Sequence, residues 1–238
     1  MPRRTRIRIP GLPLHITQRG NNKADCFWTD ADRRVYLSLL RDMAPKFGCE
    51  VHAYVLMTNH VHLLITPDDA DGASQVMKNL GQQYVQYVNR GRSRTGSLWD
   101  GRFKASIVDT DQYLLRCHRY VEMNPVRAGM VTRPGDYLWS SHRANAWGVP
   151  SDIVSPHPRL VSLGATENDR RREYCRLFET ELNAEELEEI RAATEGGFAL
   201  GSDDFLEWLD EKTGRRPSRT RARARSCGAP SSKADQVV

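Results

Sequence analysis

The stretch Tyr54-Val-Leu-Met-Thr-Asn-His-Val-His-Leu-Leu-Ile-Thr66 predicts a β-hairpin whose turn lies at Thr58-Asn59. Apolar and β-branched residues flank two turn-prone residues, as is typical of paired antiparallel strands. Two imidazoles two residues apart on a strand can reach one metal ion, although a chance pair of half-buried histidines shows the same pattern. Because side chains alternate along a strand, the two faces are expected to carry His60, His62 and Leu64 on one side and Val61, Leu63 and Ile65 on the other.

The segments around this hairpin predict the order strand, helix, strand, strand, helix, strand, helix. The first six elements match a split βαβ, so the predicted fold class is α+β, with a ferredoxin-like antiparallel sheet and one additional helix. Apolar periodicity and turn residues place the strands at 12–19, 50–57, 60–66 and 99–109, and the helices from Asp30 or Asp32 to about Lys46, from Ser74 to Arg90, and from Thr110 or Asp111 to about Asn124.

The length and composition are those of one good-sized domain, or of one domain with an appendage. The chain has 238 residues, 39% hydrophobic and 27% charged. No apolar run approaches the roughly 20 residues of a membrane span, and the N-terminal residues lack the apolar core of a signal peptide. The five cysteines are odd in number and scattered. A disulfide framework is therefore not expected, and a reducing cytoplasm is the predicted location.

Charge divides the chain into three predicted parts. Residues 1–163 carry 22 Lys and Arg against 14 Asp and Glu, residues 164–213 carry 6 against 15, and residues 214–238 carry 7 against 1. The first part is interpreted as the main domain, with an irregular segment at 126–163 that wraps the core. The second is interpreted as an acidic module of three helices (168–182, 184–194 and 202–212), and the third as a disordered basic tail. A basic body favours a polyanionic partner, most often nucleic acid.

The helix before Pro125 carries a stripe of side chains expected to face the sheet. At about 100° per residue, Tyr113, Cys117, Tyr120 and Asn124 share one side. A carboxamide on a packing face needs polar partners, so Asn124 is a candidate third metal ligand beside the two histidines. A cap or turn residue before proline is the alternative for Asn124, and a core tyrosine with its hydroxyl at the rim is the alternative for Tyr120.

Four motifs together resemble a known family. They are Ile16-Thr-Gln-Arg-Gly20, the pair His60-Val61-His62, Trp99-Asp-Gly-Arg-Phe103 and the run Tyr120-Val-Glu-Met-Asn-Pro-Val-Arg-Ala128. In this order, over about residues 10–147, they resemble the single-tyrosine HUH transposases. Among these, the chain is most similar to the REP-associated tyrosine transposases, which process repetitive extragenic palindromic DNA in bacteria. Thr58 departs from the proline that relatives commonly carry, and both residues suit a turn.

The resemblance implies an HUH nuclease fold and a set of roles. His60 and His62 would hold a divalent ion, Tyr120 would be the nucleophile, and Asn124 would act as the glutamine or asparagine found one turn after the tyrosine in relatives. Cleavage of this type leaves a 5′-phosphotyrosine and a free 3′-OH. Two imidazoles favour Zn²⁺ or Mn²⁺ on chemical grounds, whereas the resemblance implies Mg²⁺ or Mn²⁺, so Mn²⁺ or Mg²⁺ is the expected cofactor.

Several cations are predicted to contact DNA phosphates, although a solvated surface role is the alternative for any one of them. Arg3, Arg4, Arg6 and Arg8 form an N-terminal arm similar to one that relatives use near the foot of the hairpin. The remaining candidates lie in the first strand, in the loop after the second helix and around the proposed site: Arg19, Arg90, Arg92, Arg94, Arg102, Lys104 and Arg127.

The predicted function is a metal-dependent, site-specific single-strand DNA endonuclease and transesterase that acts on palindromic hairpins. A non-catalytic hairpin-binding protein and a hydrolase that activates water are the alternatives. Relatives in insertion sequences act as dimers, whereas the REP-associated branch looks monomeric, so a monomer is favoured. The acidic module is interpreted as a recognition unit, an autoinhibitory cover or an appendage, and a chain truncated after Leu163 is expected to cleave DNA.

Overall fold

The protein is described by a computed structural model that covers residues 6–110 and 112–215. Four strands, β1 (Leu14–Arg19), β2 (Cys49–Leu56), β3 (His60–Pro67) and β4 (Lys104–Ile107), form one sheet. Their order is β2-β3-β1-β4, with every neighbouring pair antiparallel. This order is that of a split βαβ, so the predicted α+β, ferredoxin-like fold is confirmed.

The helices follow in chain order. They are α1 (Asp30–Lys46), α2 (Gly72–Gly91), α3 (Gln112–Glu122), α4 (Asn124–Arg127), α5 (His142–Trp147), α6 (Pro158–Val161), α7 (Glu167–Arg176), α8 (Ala184–Gly196) and α9 (Asp203–Thr213). Within the described residues, no helix combines the length and the hydropathy that crossing a membrane requires.

Three boundaries predicted for elements of the first 125 residues were wrong. The cap of α1 is Thr29, whose hydroxyl accepts from the backbone of Asp32 while the Asp32 carboxylate accepts from the backbone of Thr29. The predicted strand 99–109 is shorter, because only Lys104–Ile107 pair with β1. The third predicted helix ends at Glu122, since Pro125 disfavours continuation, and Asn124 begins the short helix α4.

The sheet has an apolar face, which we define by Ile16, Val61, Leu63 and Ile65. These side chains are fully buried and share one hydrophobic cluster with α1 and α2. The sequence signal is the alternation of the strands together with the apolar stripes of the two helices. Tyr36, Leu40, Val76, Leu80 and Tyr84 form the helical side of this core.

The opposite side, the site face, carries His15, His62, Leu64 and Ser106. Cross-strand pairing places Leu64 and Ser106 directly opposite His15 in neighbouring strands. Helix α3 packs on this face with Leu114, Cys117, Tyr120 and Val121, which lie in a cluster with Leu64 and Val55. The predicted division of the β3 side chains between the two faces is therefore confirmed.

Segments after α4 cover both edges of the sheet. The segment 126–163, which was predicted to wrap the core, covers one of them. At the outer edge of β2, the backbone of Leu56 donates to Trp139 and that of Ser155 to Val51. At the outer edge of β4, the backbone of Leu200, between α8 and α9, donates to Ile107. Exposed edge strands can pair with another chain, which is a general aggregation hazard. Covered edges cannot pair in this way.

The acidic helices contact the rest of the protein. Ile190 and Ala193 of α8 belong to the cluster of the site face, whereas Leu206 and Leu209 of α9 belong to the cluster of the apolar face. The first predicted helix of this module ends at Arg176 rather than at about Leu182. The predicted domain boundaries at 163 and 213 stay a prediction. The predicted disordered tail was 214–238. Gly214 is the C-terminal cap of α9, and residues 216–238 lie outside the described residues.

Candidate active site

The two histidines of β3 lie on the site face beside the first strand. His60 pairs across the ladder with Arg19, and His62 pairs with Thr17. The His60 and His62 ring centroids are 5.0 Å apart, with their planes at 83°. His60 is half-buried, whereas His62 is 6% exposed. The i and i+2 spacing therefore brings both imidazoles to one place, as the sequence predicted.

A hydrogen-bond chain fixes the tautomer of His60. The Asn59 amide nitrogen donates to the backbone oxygen of Lys23 at 3.0 Å, which orients the amide. Its oxygen Oδ1 then lies 2.7 Å from Nδ1 of His60. A carbonyl oxygen only accepts, so Nδ1 of His60 carries the proton and Nε2 holds the free lone pair.

A second chain reaches His62 from α8 through β1. Nδ1 of His62 lies 2.9 Å from Nε2 of His15, and Nδ1 of His15 lies 2.8 Å from the hydroxyl of Thr194. The Thr194 hydroxyl in turn donates to the backbone oxygen of Ile190 at 2.9 Å. The planes of the His15 and His62 rings are nearly parallel, at 15°, with their centroids 5.1 Å apart.

Burial favours the neutral form of all three imidazoles. Desolvation lowers the pKa of His15 to about 3. Desolvation, followed by the charge of Arg19, lowers the pKa of His60 to about 4. Desolvation also brings the pKa of His62 well below its usual value, with smaller contributions from His15, His60 and two arginines. Neutral imidazole is the form that binds metal ions.

Tyr120 lies on α3 over the histidines. Its ring centroid is 5.6 Å from that of His62 and 5.5 Å from that of His15, with both pairs edge to face. The guanidinium of Arg127, on α4, lies 4.6 Å from the Tyr120 ring centroid. Arg127 also donates to the Tyr120 backbone oxygen at 2.5 Å. Burial lowers the pKa of Arg127 to about 10, so it keeps a positive charge beside the tyrosine at neutral pH.

Asn124 lies one turn after Tyr120, half-buried at the start of α4. Its amide nitrogen donates to the backbone oxygens of Tyr120 at 2.9 Å and Val121 at 3.3 Å. Only the amine end of a carboxamide can donate, so these bonds identify the nitrogen and leave the oxygen Oδ1 as the free acceptor. Asn124 therefore takes the helix-end role that was one alternative, and its oxygen stays available as a ligand.

The donor set fits a divalent ion with mixed nitrogen and oxygen ligands. Nε2 of His60 and Nε2 of His62 have no hydrogen-bond partner within residues 6–110 and 112–215. In the same residues, no three His, Cys, Asp or Glu side chains form a metal cluster. A bound ion would take the two Nε2 atoms, with oxygen from Asn124, water or substrate completing its ligands, a set compatible with Mn²⁺.

The helix that carries Tyr120 is anchored by a buried carboxylate. Glu122 is fully buried and accepts from Ser141 at 2.6 Å, Asn145 at 2.9 Å and Tyr174 at 2.9 Å, and it lies 2.8 Å from Nδ1 of His142. Burial opposes its charge, but these bonds lower the Glu122 pKa overall. The network ties α3 to α5 and α7, and so holds the tyrosine helix in place.

The predicted DNA-contacting cations divide between two places. Arg19 and Arg127 lie at the histidines, and their charges act on His62. Arg6, Arg8, Arg102 and Lys104 line a groove next to residues 194–197 of α8 and its C-terminal cap. Lys104 lies 3.9 Å from Glu195, so the acidic helix contacts this groove directly.

The remaining candidates are elsewhere. Arg92 pairs with Asp32 of α1 at 3.1 Å and lies over the Trp28 ring, so it belongs to the layer of α1 and α2. Arg94 lies near the same ring. Arg90 is exposed at the end of α2. Arg3 and Arg4 fall outside the described residues.

Sequence reasoning missed His15, Thr194 and Glu122. For His15 the available signal is strand alternation, which puts it on the same face of β1 as Thr17. The pairing of Thr17 with His62 then places it on the face of the two histidines. Thr194 and Glu122 give no such signal, because each acts through partners that are remote in sequence.

Residues 9–124, just under half of the chain, match the family model described as Transposase IS200 like, and this match supports a transposase-type DNA-processing role. No curated protein sequence matches the chain.

Two solved structures are similar. A REP-associated tyrosine transposase bound to a REP hairpin aligns with a TM-score of 0.54 at 19% identity, over 66% of this chain and 93% of that chain. A candidate transposase from Deinococcus radiodurans R1 aligns with a TM-score of 0.36 at 18% identity, over 54% of this chain and 92% of that chain. The first of these likenesses shows a shared fold.

Proposed function

We propose that the protein is a metal-dependent, site-specific endonuclease and transesterase for single-stranded DNA that folds into palindromic hairpins. The observation that carries this proposal is the position of Tyr120, whose ring centroid lies 5.6 Å from that of His62 and 4.6 Å from the guanidinium of Arg127. The Tyr120 hydroxyl has no hydrogen-bond partner among the described residues, so packing alone does not explain why a phenol stands there.

In the proposed reaction, the hydroxyl oxygen of Tyr120 attacks a backbone phosphorus and the bond from phosphorus to the 3′ oxygen breaks. The phenol proton is released to solvent and the departing 3′ oxygen takes up a proton, which leaves a 5′-phosphotyrosine and a free 3′-OH. Attack by the 3′-OH of another strand reverses these steps and joins DNA. A divalent ion held by His60 and His62 would polarise the phosphate and neutralise developing charge.

The protein's own residues prepare this attack. Helix α3 fixes the tyrosine ring over the histidines, and the Glu122 network fixes the helix. Arg127 holds a positive charge at 4.6 Å from the ring centroid, where it would offset negative charge that develops at the reacting oxygen atoms. Asn124 supplies a carbonyl oxygen one turn away.

Two observations lead us to propose hairpin DNA as the substrate: the positive charge of one groove and the similarity to a known transposase. The groove lined by Arg6, Arg8, Arg102 and Lys104 concentrates positive charge, which suits a phosphate backbone. The structurally similar transposase was solved with a REP hairpin bound. We extend that substrate class to this chain, as a monomer acting in the cytoplasm.

The test is incubation of the protein with labelled single-stranded hairpin DNA and Mn²⁺, followed by a denaturing gel. The expected result is a shortened strand together with a covalent protein–DNA adduct. Tyr120→Phe should still bind the hairpin and should lose the adduct, with cleavage lower by more than about 10³-fold.

The matched control is Tyr87→Phe, which removes a hydroxyl that donates to Asp32 at 3.2 Å on the other layer and should cleave within a few-fold of the wild type. Cleavage without an adduct would instead favour a hydrolase that activates water. Tight hairpin binding with neither cleavage nor adduct would favour a non-catalytic binding protein.

A further inference from the structure

The two histidines of β3 differ in the groups that contact their Nδ1 atoms, and the proposed reaction makes no use of this difference. Nδ1 of His60 lies against the side chain next to it in sequence, Asn59. Nδ1 of His62 lies against another buried imidazole, His15, which is 1% exposed and has its other nitrogen on Thr194 of α8. Thr194 is 3% exposed and separated from His15 by 179 residues.

The direction of the hydrogen bonds along this path follows from a single proton. The Thr194 hydroxyl has one proton, and its 2.9 Å contact with the backbone oxygen of Ile190, which can only accept, assigns that proton to this bond. The Thr194 oxygen then accepts from Nδ1–H of His15. A neutral His15 with its proton on Nδ1 has a lone pair on Nε2, and this nitrogen accepts from Nδ1–H of His62.

The consequence is that Nε2 of His62 carries the lone pair rather than the proton. Ser106, 3.2 Å from the Thr194 oxygen, can donate to the second lone pair of that oxygen and so reinforces its role as an acceptor. His60 reaches the same tautomer through Asn59, so both histidines present Nε2 as a ligand atom.

We infer that His15 and Thr194 are positioning residues that set the tautomer of His62 and thereby its metal-binding nitrogen. This inference rests on the proposed role of His62 as a metal ligand. Outer partners of a ligating histidine orient its ring and fix its tautomer, and their removal typically weakens metal binding about 10-fold to 100-fold. A helix of the acidic C-terminal part is in this way a component of the site and not only a cover over it.

The inference is tested first in the metal-free protein, by two-bond ¹H–¹⁵N correlation spectra of the histidine rings. In the wild type, His15 and His62 should both carry the proton on Nδ1. In Thr194→Val, which keeps the shape and removes the hydroxyl, His15 loses the acceptor for Nδ1–H. Both rings should then shift together toward the Nε2–H tautomer, although Thr194 contacts only His15.

The second measurement is Mn²⁺ affinity by calorimetry. Thr194→Val should bind about 10-fold to 100-fold more weakly than the wild type, and Thr194→Ser, which restores the hydroxyl, should recover both affinity and spectrum. The matched control is Thr213→Val on α9, where the hydroxyl makes the same kind of bond to its own helix, to Leu209 at 2.7 Å. It should change neither the spectrum nor the affinity.

The inference is overturned if wild-type His62 carries its proton on Nε2, or if Thr194→Val changes His15 and leaves His62 as it was. If the wild-type protein shows the expected tautomers but does not bind Mn²⁺, the proposed metal site is contradicted. The hydrogen-bond chain from Thr194 through His15 to His62 would still stand. The two failures are thus distinguishable, because the tautomers are read without metal and without DNA.

Discussion

The two faces of the sheet are built from the same four strands and differ in what they bury. The apolar face buries Val61, Leu63 and Ile65 against α1 and α2, and its contacts are close to purely hydrophobic. The site face buries His15, His62 and Ser106 beside Tyr120, and holds them by directed hydrogen bonds. Burial of a polar group is costly unless the group is paired, so the second arrangement stabilises the fold less per residue and specifies geometry more.

This difference predicts that substitutions on the two faces fail in different ways. A change on the apolar face should lower the free energy of unfolding and leave the chemistry of the folded molecules intact. A change on the site face should abolish chemistry at a smaller cost in stability. The C-terminal helices contact both faces, so their removal should produce both effects.

The largest effect is therefore expected from truncation after Leu163. The deletion removes Tyr174, Ile190, Leu206 and Leu209, each of them buried. At about 1.5–3 kcal/mol for each apolar side chain, the loss is comparable to the whole stability of a typical domain. We therefore expect that the truncated chain shows no cooperative thermal unfolding by circular dichroism. The charge pattern alone had led to the opposite expectation, that residues 1–163 act by themselves. A chain that ends at Arg215 is the control and should melt cooperatively. If the chain truncated after Leu163 also melts cooperatively and cleaves hairpins, the acidic module is not needed for the fold or for cleavage.

The double variant His60→Ala and His62→Ala should separate chemistry from folding on the site face. Loss of both ligands removes several kcal/mol of charge stabilisation from the reaction, so cleavage should fall by more than about 10²-fold and Mn²⁺ binding should disappear. Hairpin affinity should stay within a few-fold, because phosphate contacts dominate it. His157→Asn, which keeps a capping side chain at α6, is the control. Unchanged Mn²⁺ binding in the double variant would exclude the proposed site.

The apolar face and the outline of the site could be predicted from the sequence because both depend on local periodicity. Alternation placed His60 and His62 together, and the 3.6-residue period placed Tyr120 toward the sheet. The motif resemblance then supplied their roles. The helix cap at Thr29 was missed because two neighbouring aspartates offered the same local signal.

The supports of the site could not be predicted in this way. His15 meets Thr194 across 179 positions, and Glu122 meets Tyr174 across 52. No local pattern encodes such pairs, since each depends on how α7 and α8 pack on the finished sheet. The negative charge of residues 164–213 suggested separation from the basic body, whereas the apolar residues of α8 and α9 join its core.

Leu80→Ala tests the apolar face. Leu80 is fully buried on α2, and truncating a buried leucine typically costs about 2–5 kcal/mol through lost transfer energy and a residual cavity. Urea unfolding should show this loss, while the cleavage rate per folded molecule should stay within a few-fold. Gln82→Ala, on the exposed side of the same helix, should change neither quantity. A large loss of cleavage in fully folded Leu80→Ala would mean that the two faces are coupled.

The smallest effect, and the one with a pH signature, is expected for Glu122→Gln. Glu122 has its pKa lowered from 4.5 by the hydrogen bonds that outweigh its burial. A carboxyl with a lower pKa in the folded than in the unfolded chain stabilises the fold above the unfolded pKa and loses this contribution as pH falls through the folded value. Glutamine keeps the shape but replaces one accepting oxygen by a donor, so the cost at pH 7 should be about 1–3 kcal/mol.

Urea unfolding at pH 7 and at several values below pH 4.5 measures this difference. The stability gap between wild type and Glu122→Gln should be constant near neutrality and should narrow in acid, because the wild-type carboxyl then becomes protonated and resembles the amide. Glu188→Gln, on the exposed side of α8, should show no gap at either pH. A gap that stays the same down to the acid unfolding of the wild type would mean that Glu122 is held uncharged, and that the network anchors α3 by shape alone.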